Sequence, residues 1–235
     1  MKSTSLLVLS SVLFCMATVA AETTPNTMEH NFSYGLGVQF GAQISQEMKQ
    51  KGIQADPDIV TQAIHDVLVG GPLTVSDDDM RAAFEAYQKK QMEERKLLAE
   101  KNQKASDEFL AKNKNVKGVT VTASGLQYKI LKPGEGKSPA PTDTVVVNYK
   151  GTLLNGDEFD SSFKRGKPAT FPLNGVIKGW QEALPLMKKG AQWEIYVPPT
   201  LAYGTKGAGA AIGPNATLIF DIELLDINPP KPKAK

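Results

Sequence analysis

Hydrophobic positions follow two different rhythms along the chain, and the change falls near Gly118. Before it the period is helical. In MEHNFSYGLGVQFGAQISQEMKQKG, Phe32, Leu36, Phe40 and Ile44 recur at four-residue spacing beside Gly35, Gly37 and Gly41, which predicts a helix with one wide apolar face. DPDIVTQAIHDVLVGG predicts a second amphipathic helix, with Pro57 in its first turn and Gly70-Gly71 at its end. Two helices of this size bury little alone, so their apolar faces need a partner chain. Ser76 with Asp79 three residues on has the form of a capping box, and no Pro or Gly follows until Gly118. A third helix is therefore predicted over 76–117, roughly 40 residues and about 60 Å long if unbroken. Met80, Ala83, Phe84 and Tyr87 share a side at its start, whereas QKKQMEERKLLAEKNQKASDE is mostly charged, the pattern of a solvated spacer. An a/d repeat fails after Met92, so a long coiled coil is not supported.

After Gly118 the pattern becomes one of strands and turns. GLQYKIL, DTVVVNYKGTL, AQWEIYV and ATLIFDIELLDI are rich in Val, Ile, Tyr and Phe and are separated by Gly, Pro, Asn and Asp. The one helical stretch among them is GVIKGWQEALPLMKKG, where Val176, Ile177 and Trp180 crowd the front edge and Pro185 stops the helix about one turn later. The fold class predicted is α+β, an all-helical N-terminal region and long linking helix followed by an antiparallel sheet wrapped on one short helix. NPPKPKAK has nothing to bury, so 229–235 is expected to be a disordered tail.

Composition adds the setting. With 235 residues and 41 % apolar content the chain suits one large or two ordinary domains with a real core. Its net charge of +2 and the lack of a basic stripe interleaved with aromatics argue against nucleic acid. MKSTSLLVLSSVLFCMATVAAE joins Lys2, an apolar run from Leu6 to Phe14 and small residues before Glu22, the pattern of a secretory signal peptide over 1–21, cleaved after Ala20 or Ala21. Cys15 leaves with it, so the mature chain has no thiol and no integral membrane segment is expected after cleavage. His30 and His65 are too few and too far apart for zinc, and no cofactor or metal is expected. GLGVQFG and GAGAAIG lack both the G-x-G-x-x-G spacing and a strand-to-helix setting for a dinucleotide. No G-x-S-x-G serine is present either.

The order and spacing of DTVVVNYKGTLLNGDEFDSS, GVIKGWQEALPLMKKG, PPTLAYG and IGPNATLIFDIELLDI resemble the FKBP-type peptidyl-prolyl cis-trans isomerases over about 110 residues, from Gly118 to Ile227. The signal peptide, helical region and long helix are similar in layout to the bacterial Mip/FkpA subgroup, which are secreted homodimers. The resemblance divides the chain into a dimerisation region over 22–75, a linker helix over 76–117 and an FKBP-like domain over 118–228. It implies a periplasmic enzyme, with outer-membrane association as a variant. Its substrates would be unfolded or proline-containing polypeptides, and macrolide inhibitors would be its small-molecule partners. A dimeric holdase chaperone or a surface host-interaction factor would use the same fold.

The chemistry the resemblance implies is unusual in needing no proton transfer. An X-Pro bond turns over a barrier of about 18–20 kcal/mol set by amide resonance. An apolar cleft strips water from the carbonyl, weakens the charge-separated resonance form and so favours the twisted amide. The family pattern makes Trp180 the floor of that cleft, with Val176 and Ile177 at its rim. Tyr149 lines one side, Phe159 packs on the proline ring, and the Asp160 carboxylate accepts hydrogen bonds inside the cleft. Phe171 fits the pattern, whereas Ala169 stands where some relatives carry a larger side chain. Tyr203 is the expected donor to the substrate carbonyl, with Ile212 and Phe220 closing the top beside the Gly-rich flap GTKGAGAAIGP. Taken singly, Trp180, Phe171 and Phe220 read as plain core residues and Asp160 as a turn residue. Their joint spacing favours a site.

Overall fold

The computed structural model describes residues 27–229. The expected signal peptide and all but the first residue of the expected tail lie outside them. The chain divides at Glu47/Met48 into two compact units. The first is helix α1 (Met28–Lys51) without its last turn. Its apolar stripe is bare in the single chain, with Phe32 70 % and Phe40 57 % exposed. A Cβ on Gly35, Gly37 or Gly41 would meet nothing within 4 Å.

After the last turn of α1 the second unit continues with helix α2 (Pro57–Val69), and both ends of α2 follow the sequence signals. Asp56 accepts from the Asp58 amide at the start, and Gly70 closes the helix at φ +64°. Helix α3 (Asp77–Asn113) starts on the expected capping box, the Asp79 amide donating to Ser76 Oγ at 3.1 Å and the Ser76 hydroxyl to Asp79 Oδ2 at 2.6 Å. Three aspartates in its first turn suit the positive end of the helix dipole. It runs unbroken for 37 residues, about 55 Å at 1.5 Å per residue.

The seven strands are β1 (Val119–Val121), β2 (Gln127–Lys132), β3 (Thr144–Leu153), β4 (Glu158–Ser161), β5 (Ala169–Pro172), β6 (Gln192–Val197) and β7 (Leu218–Ile227). They form one antiparallel sheet in the order β1-β2-β6-β7-β3-β4. Beyond β3, its first half pairs with β5 and its second half with β4. Alternation sets the two faces. Val145, Val147 and Tyr149 of β3, Ile195 and Val197 of β6, and Leu218, Phe220, Ile222 and Leu224 of β7 are buried in one core. Helix α4 (Lys178–Ala183) puts Trp180 and Ala183 into that core, and Pro185 turns its end into a 3₁₀ turn over Leu184–Leu186. It lies close to β6. A Cβ on Gly179 would stand 2.5 Å from Val197 Cγ1, so only glycine lets this helix seat.

The predicted spacer behaves differently from a solvated rod. The C-terminal third of α3 docks on the sheet through a buried Ser106–Thr217 hydroxyl pair at 2.5 Å and an Asn113–Gln127 hydrogen bond at 2.9 Å. Gln127 Nε2 also donates to the Leu110 carbonyl at 2.9 Å, and Phe109 meets Tyr196 with ring centroids 5.7 Å apart. Residues 48–229 accordingly belong to one unit, and the expected boundary at 117/118 cuts through these contacts.

Candidate functional site

All but one of the sequence candidates converge on one cleft of about 450 Å³. Tyr149 reaches it from β3, Phe159 and Asp160 from β4, Phe171 from β5 and Phe220 from β7. Val176 and Ile177 come from the turn before α4, Trp180 from α4 itself and Tyr203 from the loop after β6. Strand register explains the convergence. Gly151 of β3 sits opposite both Asp160 of β4 and Phe220 of β7. A Cβ there would lie 2.6 Å from Phe159 Cζ and 2.9 Å from Phe220 Cε1, so the missing side chain is what lets these two rings meet, edge to face at 5.5 Å.

Trp180, 4 % exposed, forms the floor. Tyr149, Phe171 and Phe220 stand nearly perpendicular to it, at 5.2, 5.9 and 5.2 Å between ring centroids. Such edge-to-face contacts add to the area that each ring buries, and they fix the indole plane. Trp180 Nε1 is buried without a hydrogen-bond partner. The cleft is thus almost wholly apolar at its base.

Its polar wall is a triangle of Asp160, Tyr149 and Arg165. Asp160 accepts from the Tyr149 hydroxyl, from the Arg165 guanidinium and from the Ser161 amide, the last at 2.8 Å. Arg165 also donates to the Tyr149 hydroxyl at 2.7 Å, with its guanidinium carbon 5.4 Å from the centre of the Tyr149 ring. Burial pushes the Asp160 carboxyl up, but the hydrogen bonds from Tyr149 and Arg165 and the guanidinium charge outweigh it, so its pKa lies below the usual carboxylate value. Burial and the hydrogen bond to Asp160 push the Tyr149 phenol up. Both groups therefore hold one charge state throughout the neutral range.

Tyr203 stands at the rim, 41 % exposed, and its hydroxyl makes no hydrogen bond to the described residues. Ala169 of β5 pairs with Val147 and packs against the core. One expectation needs correction. Ile212 does not line the cleft; it is buried in the core cluster, its backbone bridged to Ala208 across the flap, and its outer side borders a groove against α3. Gly175 and Ala202 line the cleft instead and escaped the sequence reading, as did Arg165. The available signal was SSFKRGK, where a cation five residues after Asp160 precedes Gly166, a turn residue at φ +69°. Among the described residues, no group of three or more His, Cys, Asp or Glu side chains is placed to hold a metal ion, and no helix is long and apolar enough to cross a membrane.

Comparison with known proteins gives the family. Residues 135–225 match the family described as FKBP-type peptidyl-prolyl cis-trans isomerase. Residues 29–130 match the domain amino terminal to FKBP-type peptidyl-prolyl isomerase. The peptidyl-prolyl cis-trans isomerase Mip of Coxiella burnetii is 44 % identical over 92 % of this chain and 95 % of its own. The outer membrane protein MIP of Legionella longbeachae is 42 % identical over 87 % of this chain and 88 % of its own. Among solved structures, FkpA from Escherichia coli superposes with a TM-score of 0.60 at 36 % identity, covering 87 % of this chain and 98 % of that one. With these matches spanning both the helical region and the sheet that carries the cleft, the chain belongs to the FKBP-type peptidyl-prolyl cis-trans isomerases.

Proposed function

We propose that the aromatic cleft is where this isomerase turns the X-Pro bond, with the proline ring against Phe159 and over the Trp180 indole. The observation that carries the proposal is the floor itself. A buried indole ringed by three perpendicular aromatics offers a waterless surface to an amide losing its resonance, which lowers the barrier without moving a proton. Tyr203, with an uncommitted hydroxyl at the rim, donates to the substrate carbonyl. Asp160 acts through the groups it holds, since both of its oxygens are engaged by Tyr149, Arg165 and Ser161. Val176, Ile177, Phe171 and Phe220 shape the walls, and macrolides of sufficient apolar bulk would compete for them. The test is isomerisation of a short X-Pro peptide. Tyr203→Phe and Asp160→Ala should each lower kcat/KM about tenfold. Their melting temperatures should stay within about 3 °C of the parent. Unchanged turnover in both would remove this cleft from the reaction.

We further propose that two chains associate through residues 22–75 and that the mature protein works in the periplasm on unfolded or slowly folding secreted polypeptides. The bare stripe of Phe32, Leu36 and Phe40 supports a second copy of the chain as partner, because a soluble monomer rarely leaves such a face open. Two linked clefts raise the local concentration of a client held in one of them near the other, which gives avidity and a holding activity without new contacts. The N-terminal pattern of Lys2, an apolar run and small residues supports export.

A further inference from the structure

The Gly-rich flap, residues 204–216, is gripped from outside by α3. Arg95 donates to the carbonyl oxygens of Thr205, at 3.4 Å, and of Lys206. Asn102 Nδ2 donates to the Pro214 carbonyl at 2.8 Å, and Asn215 Nδ2 returns a bond to the Ala99 carbonyl at 3.4 Å. Residues 95, 99 and 102 lie on one helix face, so a single stripe of α3 holds both limbs of the flap. The fit is tight. A Cβ on Gly213 would stand 3.1 Å from both Leu98 Cδ2 and Asn102 Nδ2. Inside the flap the chain is further held by the Ala208–Ile212 bridge and the buried Ile212 side chain, while Gly207, Gly209 and Gly213 have no side chains to pack. The grip reaches the cleft by a short route. The Asn215 amide, on a residue with φ +54°, donates to the Gly204 carbonyl at 2.9 Å, and Gly204 directly follows Tyr203.

We propose that Arg95 and Asn102 are positioning residues for isomerisation, holding the flap and, through Asn215 and Gly204, the Tyr203 hydroxyl at the rim of the cleft. The linking helix is then part of the catalytic unit, and motion at its far end is felt by the substrate site. This rests on the reading of the cleft and of Tyr203 given above.

The experiment uses the full mature chain carrying Arg95→Ala, Asn102→Ala, both together, Arg95→Lys, and Lys101→Ala as a control on an exposed site of the same helix. It measures kcat and KM on a short X-Pro peptide beside hydrogen exchange of the Ala208 and Ile212 amides, whose bonds close the flap bridge. The double variant should lower kcat/KM about fivefold and speed flap exchange about tenfold, with β3 and β7 amides as protected as in the parent. Arg95→Lys should recover part of the loss, and Lys101→Ala should match the parent. Faster flap exchange with unchanged kcat/KM overturns the proposal, as does lost turnover with unchanged flap exchange. Loss of β3 and β7 protection in Arg95→Ala alone overturns it as well, because the residue would then be structural. Tyr203→Phe in the same assay separates the two readings. If it leaves turnover intact the cleft reading fails, whereas if it lowers turnover and the double variant does not, only the clamp is lost.

Discussion

Cutting the chain at the apparent linker boundary should give a weaker domain than cutting it twenty-odd residues earlier. A fragment 118–235 keeps every strand but loses Ser106, Phe109, Leu110 and Asn113, which close over Thr217, Tyr196 and Gln127. Their partners do not become buried orphans on truncation; they become solvated, so each hydrogen bond counts at its net value of about 1 kcal/mol and not at the larger penalty for an unsatisfied group. Three such bonds and one aromatic pair at about 1 kcal/mol sum to roughly 4 kcal/mol, a lower bound because the flap bonds of Arg95, Ala99 and Asn102 are lost as well. Releasing the helix returns some conformational entropy, which brings the expected difference to about 3 kcal/mol. For a domain of this size that is roughly 12 °C in melting temperature. Calorimetry on fragments 90–235 and 118–235 at equal concentration measures it directly. Melting points within about 3 °C of each other would mean that the helix merely lies on the sheet.

Five other outcomes are expected. Trp180→Ala should lower both stability and turnover, by about 3–5 kcal/mol in the former, because it empties the floor of the core as well as of the cleft. Gly151→Ala drives a methyl into Phe159 and Phe220 and should destabilise by about 1–3 kcal/mol while reducing peptide turnover; a variant as active as its parent would show that the two walls can part freely. The pH profile of kcat/KM should be flat from about pH 5 to 8, since Asp160 is depressed, Tyr149 is raised, and neither titrates there. The stability Asp160 contributes is present above its unfolded-state pKa of about 4 and is lost as pH falls through its lower folded-state pKa, so a midpoint near neutrality would contradict the assignment. Deleting residues 22–75 should leave short-peptide turnover intact while lowering catalysis of protein refolding, and sedimentation of the full mature chain as a monomer at micromolar concentration would remove the dimer.

The cleft was legible because its motifs resemble those of the FKBP-type isomerases and so name its residues, and because Tyr149, Phe159, Phe171 and Phe220 among them lie on strands. Tyr149 in VVVNYKG, Phe220 in LIFDIEL and Phe171 in ATFP lie on strands paired in one sheet, so the register brings the residues that the motifs name to one face. The helix that carries Trp180 was legible from the halt at Pro185. Ile212 failed for the converse reason. An apolar residue in a glycine-rich loop has no periodicity to orient it, and the Ala208 bridge turns it toward the core. Arg165 failed because a cation in a polar turn resembles every other surface cation until the fold brings it onto Asp160.

The docking of α3 failed at a more basic level, and the reason bears on how the helix works. Hydrophobic periodicity reports only contacts made by apolar side chains, yet the stripe that faces the flap and the sheet is Arg95, Ala99, Asn102, Ser106 and Asn113 beside Leu98, Phe109 and Leu110. Several of its partners are backbone carbonyls of a loop that has few side chains of its own, and a carbonyl can be satisfied only by a donor. A polar, donor-rich helix is therefore the surface such a flap requires, while from sequence the same composition reads as a rod in water. Hydrogen bonds of this kind contribute about 1 kcal/mol each net of solvation. A contact built from a handful of them holds the flap with a few kcal/mol, only part of the stability of the domain.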